Sequence, residues 1–291
     1  LYDSNRELVT NVRFYVYIDH WNPIQLDITR NLESGKDLTD VRYVEFQAWF
    51  TEEKSGRAVY IDNMQLTDTV MVDSVLTGKN VLFLGDSISE SGCFKAWAGE
   101  LAEHYGVNRY NVSASGAVIA SGQGHRLMDQ LSKAPTDVNM DYIILNGGVN
   151  DVWLGDTPMG QVTDSGVTVF DTTTTAGAME ELFSTLKARY PDAKIGFIIN
   201  YNCCGGGFDS DKFRDEFAPM ARAVCEKWEI PYLDLVDNAA FNAEFSSAIG
   251  SHTYDGVHAN QEGYDILTNH IAPFMGTLTG DTVPAYRDLE S

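Results

Sequence analysis

Val81-Leu82-Phe83-Leu84-Gly85-Asp86-Ser87-Ile88 joins four consecutive apolar residues to a glycine, an acid and a serine. An apolar run of that length reads as a strand buried on both faces, as in a parallel sheet. Ser89 to Tyr105 then carries apolar side chains at helical spacing, which predicts that the serine tops a parallel strand where a helix begins. In open α/β sheets that edge borders the ligand crevice, and a helix N-terminus offers N–H donors and a positive dipole end to an anion. Ser87 is therefore the candidate nucleophile. Helix capping by Ser87 or Ser89 explains the same residues equally well.

Far downstream, Tyr254-Asp255-Gly256-Val257-His258-Ala259-Asn260 places an acid and a histidine three residues apart. A hydroxyl is a poor nucleophile near neutral pH and needs a neutral imidazole to take its proton. A carboxylate on the far ring nitrogen fixes the tautomer and stabilises the imidazolium. Asp255 and His258 fill those roles from one short turn, with a surface or capping pair as the competing explanation. His20, His104, His125, His252 and His270 lack a comparable setting near a predicted strand end, although His252 lies close in sequence.

Tyr142-Ile143-Ile144-Leu145 is a second apolar strand, ending in Asn146-Gly147-Gly148-Val149-Asn150-Asp151. Glycines there allow a sharp turn, and the Asn150 amide is a candidate donor to a reacting carbonyl oxygen. Between the two strands, Tyr110 to Ala117 reads as a strand end followed by a small-residue loop, and the Gly116 N–H is a further candidate donor. Taken singly, each loop reads equally as an ordinary strand-to-helix turn.

In this order the segments resemble the SGNH (GDSL-like) hydrolase family, whose four blocks centre on a Ser, a Gly, an Asn and a His. Gly85-Asp86-Ser87-Ile88 supplies Ser87, the loop 113–117 supplies Gly116, Gly147 to Asp151 supplies Asn150, and Asp255 to His258 supplies the last block. The resemblance runs from about residue 79 to about 276, with Ile88 in place of the common Leu and the second block as the loosest match. It implies a three-layer α/β/α fold around a mostly parallel sheet and a serine esterase. Ser87 would attack an acyl carbonyl, His258 would act as base and then acid, and Asp255 would orient His258. The Ser87 and Gly116 N–H groups and the Asn150 amide would hold the oxyanion. No metal or organic cofactor is implied.

The rest of this region fits alternating β/α units. Met179, Leu182, Phe183 and Leu186 give a helix over 176–190 closed by Pro191, residues 194–200 a buried strand, 213–228 a helix bent near Pro219, and 231–236 a last strand. Residues 1–75 read differently. Leu8 to Ile18, Val41 to Thr51 and Ala58 to Leu66 are rich in β-branched and aromatic residues, which predicts a small all-β accessory domain ahead of a hydrolase domain over 79–280. The stretch Ala58 to Leu66 is similar to the closing strand of jelly-roll carbohydrate-binding modules. Trp21, Trp49 and Tyr60 are then either sugar-stacking rings or sandwich core.

The net charge of −22 disfavours a nucleic-acid partner, which binds through basic clusters absent here. No apolar run is long enough to span a bilayer. The chain begins with Leu1 rather than Met, so it is expected to be part of a longer protein, with any targeting segment outside it. Cys93, Cys203, Cys204 and Cys225 show no metal spacing; one disulfide from Cys203 or Cys204 to Cys225 and free buried thiols are both open. Asn111-Val112-Ser113 matches the glycosylation acceptor pattern by chance as readily as by function.

Leu154 to Thr175 is polar, Gly- and Thr-rich and long for a connection, a candidate wall or lid over the site. Trp153, Tyr201 and Asn202 are candidate substrate-binding residues, with a core role open for Trp153. No long apolar lid helix suggests a lipase, so a short acyl ester, such as an O-acetyl group on a polysaccharide, is the first expectation, with an extracellular or cell-surface location. A lysophospholipase or thioesterase is the second. An inert glycan-binding or adhesion protein that retains the fold is the third.

Overall fold

The computed structural model describes residues 1–3, 5–8, 41–43, 72–90, 95–122, 124–154 and 157–286. The chain divides into two compact units, a smaller one within residues 1–69 and a larger one containing Val70–Ser291. In the smaller unit, β1 (Tyr2–Asp3) pairs antiparallel with β2 (Val41–Tyr43), Tyr2 opposite Tyr43. Most of the expected strands over 8–18, 41–51 and 58–66 lie outside the described residues, as do Trp21, Trp49, Tyr60 and Cys93.

The larger unit is built on a five-stranded, wholly parallel sheet in the order β4-β3-β5-β6-β7. Its strands are β3 (Asn80–Leu84), β4 (Asn108–Asn111), β5 (Tyr142–Asn146), β6 (Lys194–Ile199) and β7 (Tyr232–Asp234). Val81 to Leu84 and Ile143 to Leu145 are completely buried, as an unbroken apolar run requires when helices cover both faces. Leu82 lies between Tyr110 and Ile143, so β3 is flanked on both sides. From β3 the chain moves outward to β4, then crosses back through the short helix α3 (Leu127–Gln130) to start β5 on the other side of β3. Right-handed crossovers in these opposite directions put α2 (Trp97–Tyr105) on one face and α5 (Thr175–Arg189) with α7 (Ala218–Lys227) on the other. The long C-terminal helix α9 (Gln261–Thr277) packs beside α2, which completes three layers. Gly196 of β6 permits that approach, because a Cβ there would stand 2.9 Å from the Phe274 ring.

The reversal of direction between β3 and β5 is the topological switch point, where a crevice opens beyond the strand ends. Two short helices start there: α1 (Ser87–Glu90) after β3 and α4 (Val149–Trp153) after β5. Ser87 and Asn150 thus stand on either side of the crevice.

Two helices differ from their sequence reading. The single helix expected over 89–105 is divided into α1 and α2, with Ala96 extended just before α2. The helix expected over 213–228 begins with α6 (Ser210–Lys212), widens into a π-helical turn over Phe213–Phe217 and continues as α7. Pro219 cannot donate to the carbonyl four residues back and its ring would strike it, so the wide turn relieves the clash. That turn brings Phe217 against Gly148, just ahead of α4. Gly148 has φ +98°, and a Cβ there would overlap the Phe217 ring. The helix after β7, α8 (Ala239–Glu244), supplies Phe241 to the core. Among the described residues no helix is long and apolar enough to cross a membrane.

Candidate active site

Asp255, Gly256, Val257 and His258 form a turn that the Asp255 side chain holds from inside. Its Oδ1 accepts the Val257 N–H at 2.9 Å and the His258 N–H at 2.7 Å, leaving Oδ2 to accept from the imidazole Nδ1 at 2.7 Å. Gly256 sits at φ +84°, and its carbonyl receives the N–H groups of Cys204 and Gly205. A Cβ on Gly205 would overlap the Asp255 carbonyl, so the glycine-rich loop 204–207 lies directly beneath the turn. The other imidazole nitrogen, Nε2, stands 2.8 Å from Ser87 Oγ. Hydroxyl, imidazole and carboxylate thus form one hydrogen-bonded chain across 171 residues of sequence. The Tyr254 ring lies nearly parallel to that of His258, at 11° and 5.6 Å between centroids.

Burial alone would raise the Asp255 pKa, but the bonds from the His258 ring and N–H, the ring's charge and the Val257 N–H outweigh it and hold the carboxyl below its ordinary value. Asp255 is therefore an anion facing Nδ1. That leaves Nε2 free to accept a proton from Ser87.

His252 is committed elsewhere: its Nδ1 accepts the Ser246 N–H at 2.9 Å, and its Nε2 is 3.8 Å from Glu262. Gly116 sits in the turn after β4 with φ +73°. Asn150, 6 % exposed, gives one Nδ2 hydrogen to Ala117 O at 2.9 Å. A primary amide has two such hydrogens, so one is left for another acceptor. Among the described residues no acceptor engages the Ser87 or Gly116 N–H.

One expectation is corrected. Tyr201, expected in the pocket, is a core residue at 1 % exposure; its hydroxyl donates to Val257 O and its ring packs on Phe241 and Phe245. It supports the His258 turn from below. Asn202 is half-buried; its carbonyl accepts from Ser247 Oγ and its Oδ1 is buried without a partner among the described residues. Of the segment 154–175, expected as a wall or lid, residues 157–174 are anchored to the helices beside them. Thr163 bonds Glu180 of α5 and Lys227 of α7, and Thr172 accepts the Ser121 N–H, so the segment is tied down along α5. Trp153 donates from Nε1 to Gly206 O at 3.1 Å and meets Phe208 edge-on, bracing the loop beneath Asp255. Asn111 donates to Ser89 O from its half-buried amide, which occupies the nitrogen a glycan would need. Cys203, Cys204 and Cys225 are free thiols.

Several residues around the site act without having been assigned a role. Asp151 is fully buried and accepts the N–H groups of Ile119 and Ala120, fixing the chain just past Gly116; burial raises its pKa against those bonds. Asp86 is fully buried beside Ser87, and burial pushes its pKa up to about 6 against the pull of the Ile88 N–H, His258 and Asn146. Gln130 brackets Gly85 with two bonds, donating to its carbonyl at 2.7 Å and accepting its N–H at 3.2 Å. A Cβ at Gly85 would overlap Asn146 and Ser89, so only glycine fits between β3 and the serine.

This geometry agrees with a family comparison. The model of the GDSL-like lipase/acylhydrolase family matches residues 83–266, more than half of the chain, and the chain belongs to that family. Its class is therefore that of hydrolases acting on acyl esters. Among solved structures, a protein from Lactobacillus plantarum is 24 % identical, with 69 % of this chain and 98 % of that one covered and a TM-score of 0.58. A structure described as a GDSL-like lipase from Parabacteroides merdae is 19 % identical, with 70 % and 98 % covered and a TM-score of 0.50. An acetyl xylan esterase is 19 % identical over 66 % of this chain and 97 % of its own, with a TM-score of 0.47, a likeness too loose to bear on substrate. No curated protein matches the chain.

Proposed function

We propose that the protein is a serine esterase that removes short acyl groups, acetyl foremost, from a carbohydrate. The observation that supports the chemistry most is the chain from Ser87 Oγ through His258 to Asp255, with contacts of 2.8 and 2.7 Å. Ser87 Oγ attacks the ester carbonyl as its proton passes to His258 Nε2, and Asp255 stabilises the imidazolium that forms. The carbonyl oxygen becomes an oxyanion held by the Ser87 and Gly116 N–H groups and the second Asn150 amide hydrogen. His258 then protonates the leaving alcohol, giving an acyl-serine. Water, deprotonated by His258, hydrolyses it by the same steps in reverse order, releasing the carboxylic acid and restoring Ser87. Residues 79–280 form the hydrolase domain in this reading and residues 1–75 an accessory one. A polysaccharide substrate would place the enzyme outside the cell or on its surface.

The short-acyl choice is supported by the composition of 154–175, rich in Thr and Gly rather than in the apolar residues of a long lipase lid. Hydrolysis of p-nitrophenyl acetate is expected to vanish in Ser87→Ala and His258→Ala and to persist in His252→Ala. Turnover that survives Ser87→Ala refutes the mechanism. Acetyl esters should be cleaved faster than octanoyl esters, and acetate should be released from acetylated xylan or another acetylated glycan. Preference for octanoyl esters would instead assign a lysophospholipase or thioesterase specificity.

A further inference from the structure

The turn that carries Gly116 is tied down at every residue except Gly116 itself. Ala117 N–H donates to Ala114 O at 3.1 Å, closing a four-residue turn in which Gly116 is third. Gly116 has a positive φ of 73° and Ser115 does not, which is the type II pattern. In that pattern the peptide between the second and third residues faces the opposite way from a type I turn, so the turn type decides where the Gly116 N–H points. Ala114 N–H is held by Gly85 O at 3.1 Å, and Ala117 O by Asn150 Nδ2 at 2.9 Å. The remaining residue, Ser115, is held by Glu90. One carboxylate oxygen, Oε2, accepts both the Ser115 N–H at 2.7 Å and the Ser115 hydroxyl. Glu90 is the last residue of α1, whose first residue is Ser87.

We propose that Glu90 is a positioning residue that clamps Ser115 to the nucleophile's own helix and so fixes the Gly116 N–H relative to Ser87 Oγ. It touches no reacting atom. The inference rests on the reading above, in which Gly116 donates to the oxyanion. Charge cannot be the gain, because a carboxylate close to a developing oxyanion is repulsive. What Glu90 supplies is an acceptor, and both Ser115 bonds fall on a single oxygen. A glutamine carbonyl can therefore replace it, whereas alanine cannot.

The test is steady-state kinetics on the full chain with p-nitrophenyl acetate, together with the affinity of an alkylboronic acid, which forms a tetrahedral adduct on serine. Glu90→Ala is expected to lower kcat by about ten- to a hundredfold with KM within about twofold, the size expected of a misplaced oxyanion donor. Boronate affinity should fall in parallel, while Tm stays near the wild-type value because the Glu90 side chain is exposed. Glu90→Gln is expected to recover kcat to within about threefold of wild type. A folded Glu90→Ala with wild-type kcat overturns the clamp and leaves the esterase reading intact. Equal losses in the Gln and Ala variants also overturn it, since charge would then be what matters. If Glu90→Ala fails to fold, Ser115→Ala, which drops only the hydroxyl bond, must lower kcat at least about threefold, and an unchanged kcat there overturns the clamp. A wild type that neither turns over esters nor reacts at Ser87 with a fluorophosphonate removes the reading on which the clamp depends.

Discussion

Asp255→Asn separates the two jobs of one carboxyl group. Oδ1 holds the Val257 and His258 N–H groups, and Oδ2 faces the imidazole Nδ1 at 2.7 Å. An asparagine keeps the first job, because its carbonyl oxygen can accept the same two backbone donors. Its NH2 group then faces Nδ1, which favours the tautomer with a proton on Nε2. That proton points at Ser87 Oγ, 2.8 Å away, and the ring can no longer take the serine's own. The kinetic cost of a wrong tautomer in a Ser-His-Asp arrangement is about 10⁴ in kcat, or about 5 kcal/mol of barrier. The stability cost is far smaller. Losing one charge-assisted hydrogen bond is worth about 1.5–3 kcal/mol when buried. The Asp255 side chain is 38 % exposed, so solvent screening brings this to about 1 kcal/mol, or about 2–4 °C in Tm for a domain of this size. p-Nitrophenyl acetate kinetics and a thermal melt measure both. A folded Asp255→Asn with kcat within tenfold of wild type refutes the tautomer argument.

Three further expectations follow from the same geometry. If Asn150 holds the oxyanion as proposed, Asn150→Ala is expected to lower kcat by about a hundredfold or more while KM moves little, as steady-state kinetics will read. Gly148→Ala combines φ +98° with a Cβ inside the Phe217 ring, so about 2–4 kcal/mol of stability is expected to be lost in denaturant titration. Asp265, between α9 and α2, has its pKa raised to about 7, first by burial and then by the charge of Glu100, against the hydrogen bond from Gln261. The folded state therefore keeps a proton that the unfolded chain gives up near 3.8. This contribution is full below pH 3.8 and lost as pH rises to about 7; the Asp265→Asn melt should lack that part of the decline, and an unchanged pH profile would refute it.

Much of the fold was legible because its decisive signals are local. The strands β3, β5 and β6 are almost continuous apolar runs, and Gly85 and Gly147 mark the ends of β3 and β5 where the crevice lies. Asp255 and His258 were legible because three residues of sequence leave the carboxylate few places to reach other than the ring beside it. Strand order was not, because it rests on pairings such as Leu82 with both Tyr110 and Ile143, which no local pattern encodes. Tyr201 was misread because it follows a strand end, where pocket residues usually stand. Its true partners, Phe241 and Phe245, come forty residues later. The segment 154–175 read as a wall or lid because its Thr and Gly look unattached. The buried Glu180 that anchors Thr163 lies inside an amphipathic helix and gives no sign of that role in sequence. Glu90 and Asp151 were equally invisible, since each acts by accepting backbone N–H groups from another loop.

The central claim is that Ser87 carries the acyl group between two half-reactions, and the direct test is mass spectrometry of protein acid-quenched during turnover of p-nitrophenyl acetate. The account predicts one added acetyl group, located on the peptide containing Ser87 and absent in Ser87→Ala. An acetyl group found on another residue, or rapid turnover that survives Ser87→Ala with no adduct, contradicts it.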